Sequence, residues 1–158
     1  MNSWLTICCA ALLGCALSCA TSTRAVRGVP ADFSLTIERT PCKGRCPAYV
    51  LHVDARGHVA YEGKYFADPM GKHEKTLRKA QLRELVAAIQ AADFWAYAER
   101  YDEPSIKDVP SAATQCTMNG RTHRVLNRFN APESLGQLQA RLDSIIGQDG
   151  YQPVPEQP

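Results

Sequence analysis

Residues 49–61, YVLHVDARGHVAY, decide the fold because they place two alternating segments on either side of a tight turn. Apolar and polar residues alternate in both arms, which is the period of a half-buried strand. Gly57 accepts the positive φ that a bulged hairpin loop requires. In that register the apolar residues of the two arms face each other as the pairs Val53–Val59 and Leu51–Tyr61. The stretch therefore predicts an antiparallel hairpin with one buried face.

Further alternating segments extend this hairpin into a sheet. Residues 33–37 alternate apolar and polar side chains, and a third strand is predicted over 72–77. Farther along the chain, 114–118 and 121–126 flank Asn119-Gly120, which is the strongest short signal for a two-residue hairpin turn. These segments predict antiparallel pairing on both sides of the first hairpin.

Two amphipathic helices are predicted to cover the sheet. The first carries apolar residues at helical spacing, namely Leu82, Leu85, Val86 and Ile89, and the aromatic residues of 94–97 follow it. The second is expected to begin near Asn130 as N-cap, with Pro132 in its first turn, and to stop at Gly147. The predicted order is βββαββα, an α+β domain with an antiparallel sheet and two helices packed on it.

The beginning of the chain has the features of an export signal. Residues 1–18 are apolar, carry no charged side chain and end in small residues. Polar residues at 21–24 follow too soon for a transmembrane helix, which needs about 20 apolar residues. The end of the segment resembles a bacterial lipoprotein lipobox, which implies a diacylglycerol on Cys19. Cys15 is the alternative, because the residue three places before it fits a lipobox better.

This resemblance implies a location in the cell envelope. Residues 19–31 are interpreted as a polar tether, and Ala20 is not the aspartate that retains many lipoproteins at the inner membrane. We therefore expect a lipid-anchored protein at the outer membrane, facing the periplasm. Membrane contact is expected through the lipid anchor.

Composition bounds the rest of the chain. Without residues 1–18, about 140 residues remain, which is the size of a single domain. Residues 32–147 are predicted to form one domain, and 148–158 a disordered proline-rich tail. The 18 basic and 16 acidic residues leave a net charge of +2, which gives no support for a nucleic-acid partner.

The sharpest local motif is PCKGRCP at residues 41–47. A structural disulfide between Cys42 and Cys46 is the favoured interpretation in an oxidising compartment, and Gly44 permits the turn that such a bridge requires. In the redox alternative, Lys43 and Arg45 would lower the pKa of a thiolate, but the spacing is not C-x-x-C. A metal site would need further ligands, and the neighbouring sequence offers none.

The same motif carries a resemblance to a known family. The matching positions are Thr40-Pro41-Cys42, Gly44, Cys46-Pro47, Tyr49, Gly57, Gly63, Phe94, Tyr101 and Asp108-Val109-Pro110. From about Phe33 to Ile146 the chain resembles family 6438 of domains of unknown function. The resemblance implies a compact domain of exported and lipid-anchored bacterial proteins, with no established activity. The chain differs from the family at Lys43 and Arg45, where neutral or aromatic residues are expected.

Two further segments contain residues suited to ligand binding or to nucleophilic chemistry. Residues 101–110 form a polar, proline-bounded loop, where binding residues are often found. Its carboxylates Asp102, Glu103 and Asp108 suggest a calcium site, and the alternative is a solvated connector.

Cys116 is predicted to lie opposite His123, which permits a Cys–His nucleophile with Asp108 as orienting group. The competing interpretation of this pair is packing within the sheet.

These features favour a non-catalytic binding module for a protein or cell-wall partner, possible forms being an inhibitor or an immunity protein. The candidate binding residues are Lys43, Arg45, Tyr101, Asp102 and Asp108. No catalytic, cofactor-binding or metal-ligating residue is assigned. The alternative hypothesis is a thiol-dependent enzyme or redox protein that uses Cys116 or the Cys42/Cys46 pair.

Overall fold

A computed structural model describes residues 26–155, and it is an α+β domain built on one eight-stranded sheet. The strands are β1 (Ser34–Arg39), β2 (Ala48–Asp54), β3 (His58–Tyr65), β4 (Gly71–Thr76), β5 (Arg100–Tyr101), β6 (Ala112–Met118), β7 (Arg121–Asn127) and β8 (Gln152–Pro153). The helices are α1 (Lys79–Ala91) and α2 (Glu133–Ile146), with a 3₁₀ turn at Phe94–Ala96. The strand order in space is β5-β7-β6-β1-β2-β3-β4-β8.

Both predicted hairpins are confirmed. β2 and β3 pair in the expected register, with Leu51 opposite Tyr61 and Val53 opposite Val59. Gly57 has a φ of 88° in the turn between them, a conformation that glycine adopts without steric cost. Asn119 and Gly120 have φ values of 54° and 73°, which suits the two-residue turn between β6 and β7.

The predicted class is confirmed, but the element order needs correction. Four strands precede α1 rather than three, because both arms of the 49–61 hairpin and the 72–77 segment form separate strands. The sheet is mostly antiparallel, and its exception is β5, which pairs in parallel with β7. β5 has only two residues, so the sequence contains no alternating pattern that would predict it.

The core lies between the sheet and the two helices. Leu35 and Ile37 of β1 are fully buried, as are Leu85 of α1 and Leu142 of α2, and all four belong to one hydrophobic cluster. Phe94 is also fully buried, whereas Trp95 and Tyr97 pack against the cluster with partly exposed side chains. The outer face of the sheet alternates to polar residues such as Thr36 and His52, which share a hydrogen bond of 3.1 Å.

The ends of the domain differ from the expectation. Val26 and Val29 are buried in the core cluster, so the packed domain begins within the segment interpreted as a tether. Within the predicted 148–158 tail, the residues described up to 155 are not wholly irregular, because Gln152–Pro153 pair with β4 and the ring of Tyr151 packs against that of Tyr61 with 4.8 Å between centroids. Residues 151–153 are therefore part of the fold.

The N-terminus of α2 also differs. Pro132, not Asn130, is the N-cap, and the helix begins at Glu133. Asn130 instead takes a positive φ of 56° in the preceding turn, a region that asparagine tolerates better than most residues. The predicted end at Gly147 is confirmed, where φ is 72°.

The predicted export signal and both candidate lipidation sites, Cys15 and Cys19, lie outside the described residues. Between residues 26 and 155, no helix combines the length and the apolar character that crossing a bilayer requires.

Candidate binding cleft

The loop between β1 and β2 is closed by a disulfide. Cys42 and Cys46 are bonded to each other with their Cα atoms 5.6 Å apart, which confirms the structural bridge. The amide of Gly44 donates a hydrogen bond to the sulfur of Cys42 at 3.2 Å. Lys43 and Arg45 are both exposed. The bridge therefore presents two cationic side chains on a loop of restricted conformation.

The second loop, residues 101–110, is organised by Arg128. Its guanidinium donates to a carboxylate oxygen of Asp102 at 2.6 Å and to the carbonyl of Ile106 at 2.6 Å. The hydrogen bond from Arg128 lowers the pKa of Asp102, with further help from Arg100. Sequence inspection missed Arg128, because it lies after β7 and nothing in its local pattern links it to this loop.

The other predicted residues of this loop have separate roles. The hydroxyl of Tyr101 accepts a hydrogen bond from the amide of Ala98 at 3.0 Å. Glu103 accepts hydrogen bonds from the amide and the hydroxyl of Ser105, which lower the pKa of Glu103. Asp108 is exposed at a positive φ of 58°.

Asp102, Glu103 and Asp108 do not converge on a common point. In the part of the chain that the structure describes, no group of three His, Cys, Asp or Glu side chains is arranged to hold a metal ion. The carboxylates of Asp102 and Glu103 are used instead to shape the loop, through Arg128 and Ser105.

The two loops are joined directly. The amide of Thr40, at the end of β1, donates to the carbonyl of Ser111 at 3.0 Å, and the amide of Ser111 donates to the hydroxyl of Thr40 at 2.8 Å. The two hydroxyl groups are 2.9 Å apart. Because these bonds lie next to the disulfide, the stapled loop and the 101–110 loop are held in a fixed relation.

A cleft of about 470 Å³ lies between these loops and α2. Its walls come from the end of β1, the second half of the stapled loop, the start of β6, the end of β7 and one face of α2. The lining residues that matter for its chemistry are Arg39, Cys46, Pro110, Arg128, Gly136 and Gln139. We refer to this site as the cleft.

Gln139 connects α2 to the sheet at the base of the cleft. Its amide donates to the carbonyl of Ala112 at 3.2 Å and to the hydroxyl of Thr114 at 3.1 Å, and its oxygen accepts from Asn127 at 2.8 Å. Gln139 is only 2% exposed, so these bonds form away from water. Buried polar groups that are all satisfied favour a single geometry, which makes this base rigid.

An ion pair lies in the cleft beside Gln139. Arg39 forms an ion pair with Asp143 of α2, and the hydroxyl of Tyr49 donates to the same carboxylate at 3.1 Å. Burial, together with the negative charge of Asp143, raises the pKa of Tyr49 to about 12. Tyr49 therefore remains a neutral hydrogen-bond donor at physiological pH.

The charge balance of the cleft limits its ligands. Arg39 is paired with Asp143, and Arg128 is paired with Asp102, so each lining arginine has its own carboxylate. A phosphate or carboxylate ligand would have to compete with these bonds. The cleft therefore suits a neutral polar or mixed surface, such as a polypeptide segment, better than a free anion.

Gly136 leaves one wall of the cleft open. It lies on α2, and a Cβ added there would meet no atom within 4 Å. The side-chain volume missing at this position is part of the space of the cleft. Gly136 was not predicted from the sequence, because a single glycine in an amphipathic helix does not by itself indicate a binding site.

Cys116 and His123 lie opposite each other, as the register predicts. Cys116 is fully buried, and burial, with a smaller effect of the Asp32 charge, raises the pKa of its thiol to about 12. His123 is hydrogen-bonded to the carbonyl of Tyr97 at 2.9 Å and packs edge-to-face against Phe94. The pair is part of the packed interior of the sheet, and Asp108 lies in the exposed loop.

The five candidate binding residues surround the cleft without lining it. Lys43 and Arg45 lie on its stapled rim, and Tyr101, Asp102 and Asp108 belong to the opposite loop. Of the residues in the 41–47 motif, Cys46 and Pro47 contribute directly to the wall.

A mostly antiparallel sheet with two helices on one face and a loop-framed cleft at one end defines a small α+β domain. The family model of Domain of unknown function (DUF6438) matches residues 33–146, and the chain belongs to that family. No curated protein matches the chain.

Proposed function

We propose that this chain is a cell-envelope lipoprotein whose domain is a non-catalytic binding module, with the cleft as its binding site for a protein or cell-wall partner. The observation that carries this proposal is the cleft between two loops whose geometry is fixed independently, one by a disulfide and the other by Arg128. Rigid rims reduce the entropy lost on binding, which is a property of recognition sites.

The position of the cleft supports the same proposal. The chain enters the domain at the opposite end of β1, where Asp32 accepts hydrogen bonds from the amides of Asn119 and Gly120 at 2.9 and 2.6 Å. β1 has six residues, so the two ends are separated by roughly 17 Å. A chain anchored through Cys19 would present the cleft away from its membrane.

The chemistry of the cleft favours a polypeptide partner. Its volume of about 470 Å³ falls in the range of roughly 300–1,000 Å³ that is typical of ligand-binding clefts. Backbone amides and carbonyls of a partner would form hydrogen bonds with polar groups at the rim, and neither ion pair would have to be displaced. An inhibitor or immunity protein of the envelope, acting on a wall-degrading enzyme, is one specific form of this function.

The anchor is tested separately from the cleft. The apolar run before Cys19 and the Ala-Thr-Ser-Thr sequence after it motivate cleavage before Cys19 and its lipidation. Intact-mass measurement of protein extracted from membranes should give a diacylated mature form beginning at Cys19. A mature form beginning at Cys15, or one without lipid, would overturn this assignment.

The cleft is tested with two substitutions at one position. Gly136→Gln places a polar side chain in the cleft, whereas Gly136→Ala adds only a methyl group to open space. Affinity capture from envelope extracts should recover the same partner with wild type and Gly136→Ala, and lose it with Gly136→Gln. Capture unchanged by Gly136→Gln would show that the partner does not occupy the cleft.

A substitution at Asp108 tests whether the 101–110 loop at the rim of the cleft takes part in binding. Asp108→Asn removes the charge while keeping a side chain that tolerates the positive φ of 58°, so the melting temperature should stay unchanged. Partner capture should weaken, because the exposed carboxylate lies on the loop that frames the cleft. Equal capture by both proteins would remove Asp108 from the binding surface.

A further inference from the structure

Three exposed apolar side chains are concentrated at the end of β3 and in the turn that leads to β4. Tyr65, Phe66 and Met70 are 59%, 56% and 55% exposed, and in the described part of the chain only Val154, at 39%, joins them among exposed large hydrophobic residues. Scattered exposed apolar residues are ordinary, but three within six positions form a patch. None of the three lines the cleft.

Phe66 has an unfavourable backbone conformation. Its φ is 48°, a left-handed region that bulky residues rarely adopt and that costs on the order of 1 kcal/mol or more. Burial normally offsets such a cost, yet most of this side chain is in solvent. The turn beneath it is packed, since Ala67 is buried and Gly63 lies against the backbone of Pro69. The fold therefore holds an aromatic ring outward on a rigid support.

Arg45 connects this turn to the stapled loop. Its guanidinium lies over the Phe66 ring, 5.6 Å from the centroid, in a cation–π contact. Lys43 of the stapled loop, Lys64 near the end of β3 and Lys72 at the start of β4 are also exposed, and the exposed acidic residues of the same stretch are Glu62 and Asp68. The segments that carry the ring therefore have more basic than acidic exposed side chains.

We propose that Arg45, Tyr65, Phe66 and Met70, together called the aromatic patch, dock onto an acidic surface of a partner protein. Aromatic residues, methionine and arginine are the types enriched at the centres of protein interfaces. The excess of cations selects an acidic partner. This site is distinct from the cleft and goes beyond the function proposed for it.

Two other occupants fit the patch less well. In a symmetric dimer the patch would face its own copy, which would bring Lys43, Arg45 and Lys64 against like charges. A lipid surface would have to lie at the end of the domain opposite to the point where the chain enters it. An acidic protein surface meets neither difficulty.

Selection from a random peptide display library, with the folded protein as bait, tests the proposal. The selected peptides should be rich in Asp and Glu and carry at least one large apolar residue. Phe66→Asn removes the ring and relieves the backbone, since asparagine tolerates positive φ, so its melting temperature should be equal or higher. Phe66→Asn and Arg45→Glu should each weaken the best synthetic peptide by about tenfold or more.

The chain offers a matched control at its other end. Arg121 lies over the Trp95 ring at 5.3 Å, so Arg121→Glu changes the same kind of pair beside the β6–β7 turn. Peptide affinity should be unchanged in Arg121→Glu and in Gly136→Gln. Loss in Gly136→Gln with normal binding by Phe66→Asn would place the peptides in the cleft, overturning the aromatic patch and leaving the proposed function intact.

The remaining outcomes also overturn the proposal. A library that yields no peptide, or only neutral and basic ones, shows that the patch does not select an acidic protein surface. Binding to phosphatidylglycerol–phosphatidylethanolamine vesicles that Phe66→Asn abolishes, without acidic peptide binding, assigns the patch to a lipid surface. Concentration-dependent dimerisation that Phe66→Asn abolishes assigns it to a second copy.

Discussion

Arg39 and Asp143 form an ion pair between the end of β1 and α2, across 104 residues of sequence. Asp143 also accepts a hydrogen bond from Tyr49, so one carboxylate holds two strands against the helix. Both partners of the ion pair are mostly buried, with side chains 18% and 25% exposed. The ion pair forms part of the wall of the cleft.

Asp143→Asn should lower the free energy of unfolding by about 1–3 kcal/mol, because it leaves the Arg39 guanidinium with a neutral partner in a partly dry site. Chemical denaturation measures the loss. Glu84→Gln is the matched control: Glu84 and Arg141 also pair between helix residues, but at 3.7 Å with more than half of each side chain exposed. That change should cost less than about 0.5 kcal/mol. Equal losses in the two variants would contradict this account.

The disulfide should contribute modestly to stability. Replacing Cys42 and Cys46 together by serine should lower the free energy of unfolding by about 2 kcal/mol, because a five-residue loop restricts the unfolded chain only slightly. The circular-dichroism spectrum should remain that of the folded domain. A peptide map that links Cys116 to either residue would refute the pairing.

Cys116 should be unreactive in the folded protein. Burial raises the pKa of its thiol to about 12, so almost no thiolate is present at neutral pH. In a form that begins at Ala20, the Ellman reagent should detect one thiol, and only after denaturation. Rapid reaction of the native protein, or an activity lost in Cys116→Ser while partner capture persists, would support the thiol-dependent alternative.

Stability should fall in alkaline solution. Above its ordinary pKa near 9.0, Cys116 loses a proton in the unfolded chain but keeps it in the folded state until about pH 12. The unfolded state then binds fewer protons, so the free energy of unfolding decreases as the pH rises from 9 to 12, by up to about 1.4 kcal/mol per pH unit for one group. Tyr49 adds a similar decrease that starts near pH 10. In Cys116→Ala the slope between pH 9 and 10 should be shallower; an unchanged slope would contradict the assignment.

Two Gly→Ala substitutions should have opposite effects. A Cβ at Gly63 would overlap the carbonyl oxygen of Pro69, so Gly63→Ala should cost about 1–3 kcal/mol. Gly136 has helical geometry and open space around it, so Gly136→Ala should stabilise the domain by about 0.4–1 kcal/mol. Thermal melting of both variants tests this pair, and a stabilised Gly63→Ala would show that the β3–β4 turn adapts.

Sequence reasoning succeeded where the signal was local. The alternation of 49–61 predicted the register of β2 and β3, and Asn119-Gly120 predicted the second hairpin. The Cys42–Cys46 bridge was also predicted, because Gly44 permits the turn that joins the two cysteines and an oxidising compartment favours a disulfide. Errors occurred at short or terminal elements, where β5 and β8 have two residues each and no periodic pattern.

The sequence by itself determined the longer strands, the positions of two hairpin turns and the cysteine pair, since each depends on residues a few positions apart. Only the tertiary structure decided the cleft and the aromatic patch. Arg128 reaches Asp102 across 26 positions, and Thr40 reaches Ser111 across 71. Such contacts depend on how the sheet and helices pack as a whole. Burial of apolar surface stabilises the assembled core, and local sequence spacing does not specify which distant polar groups the packing brings together.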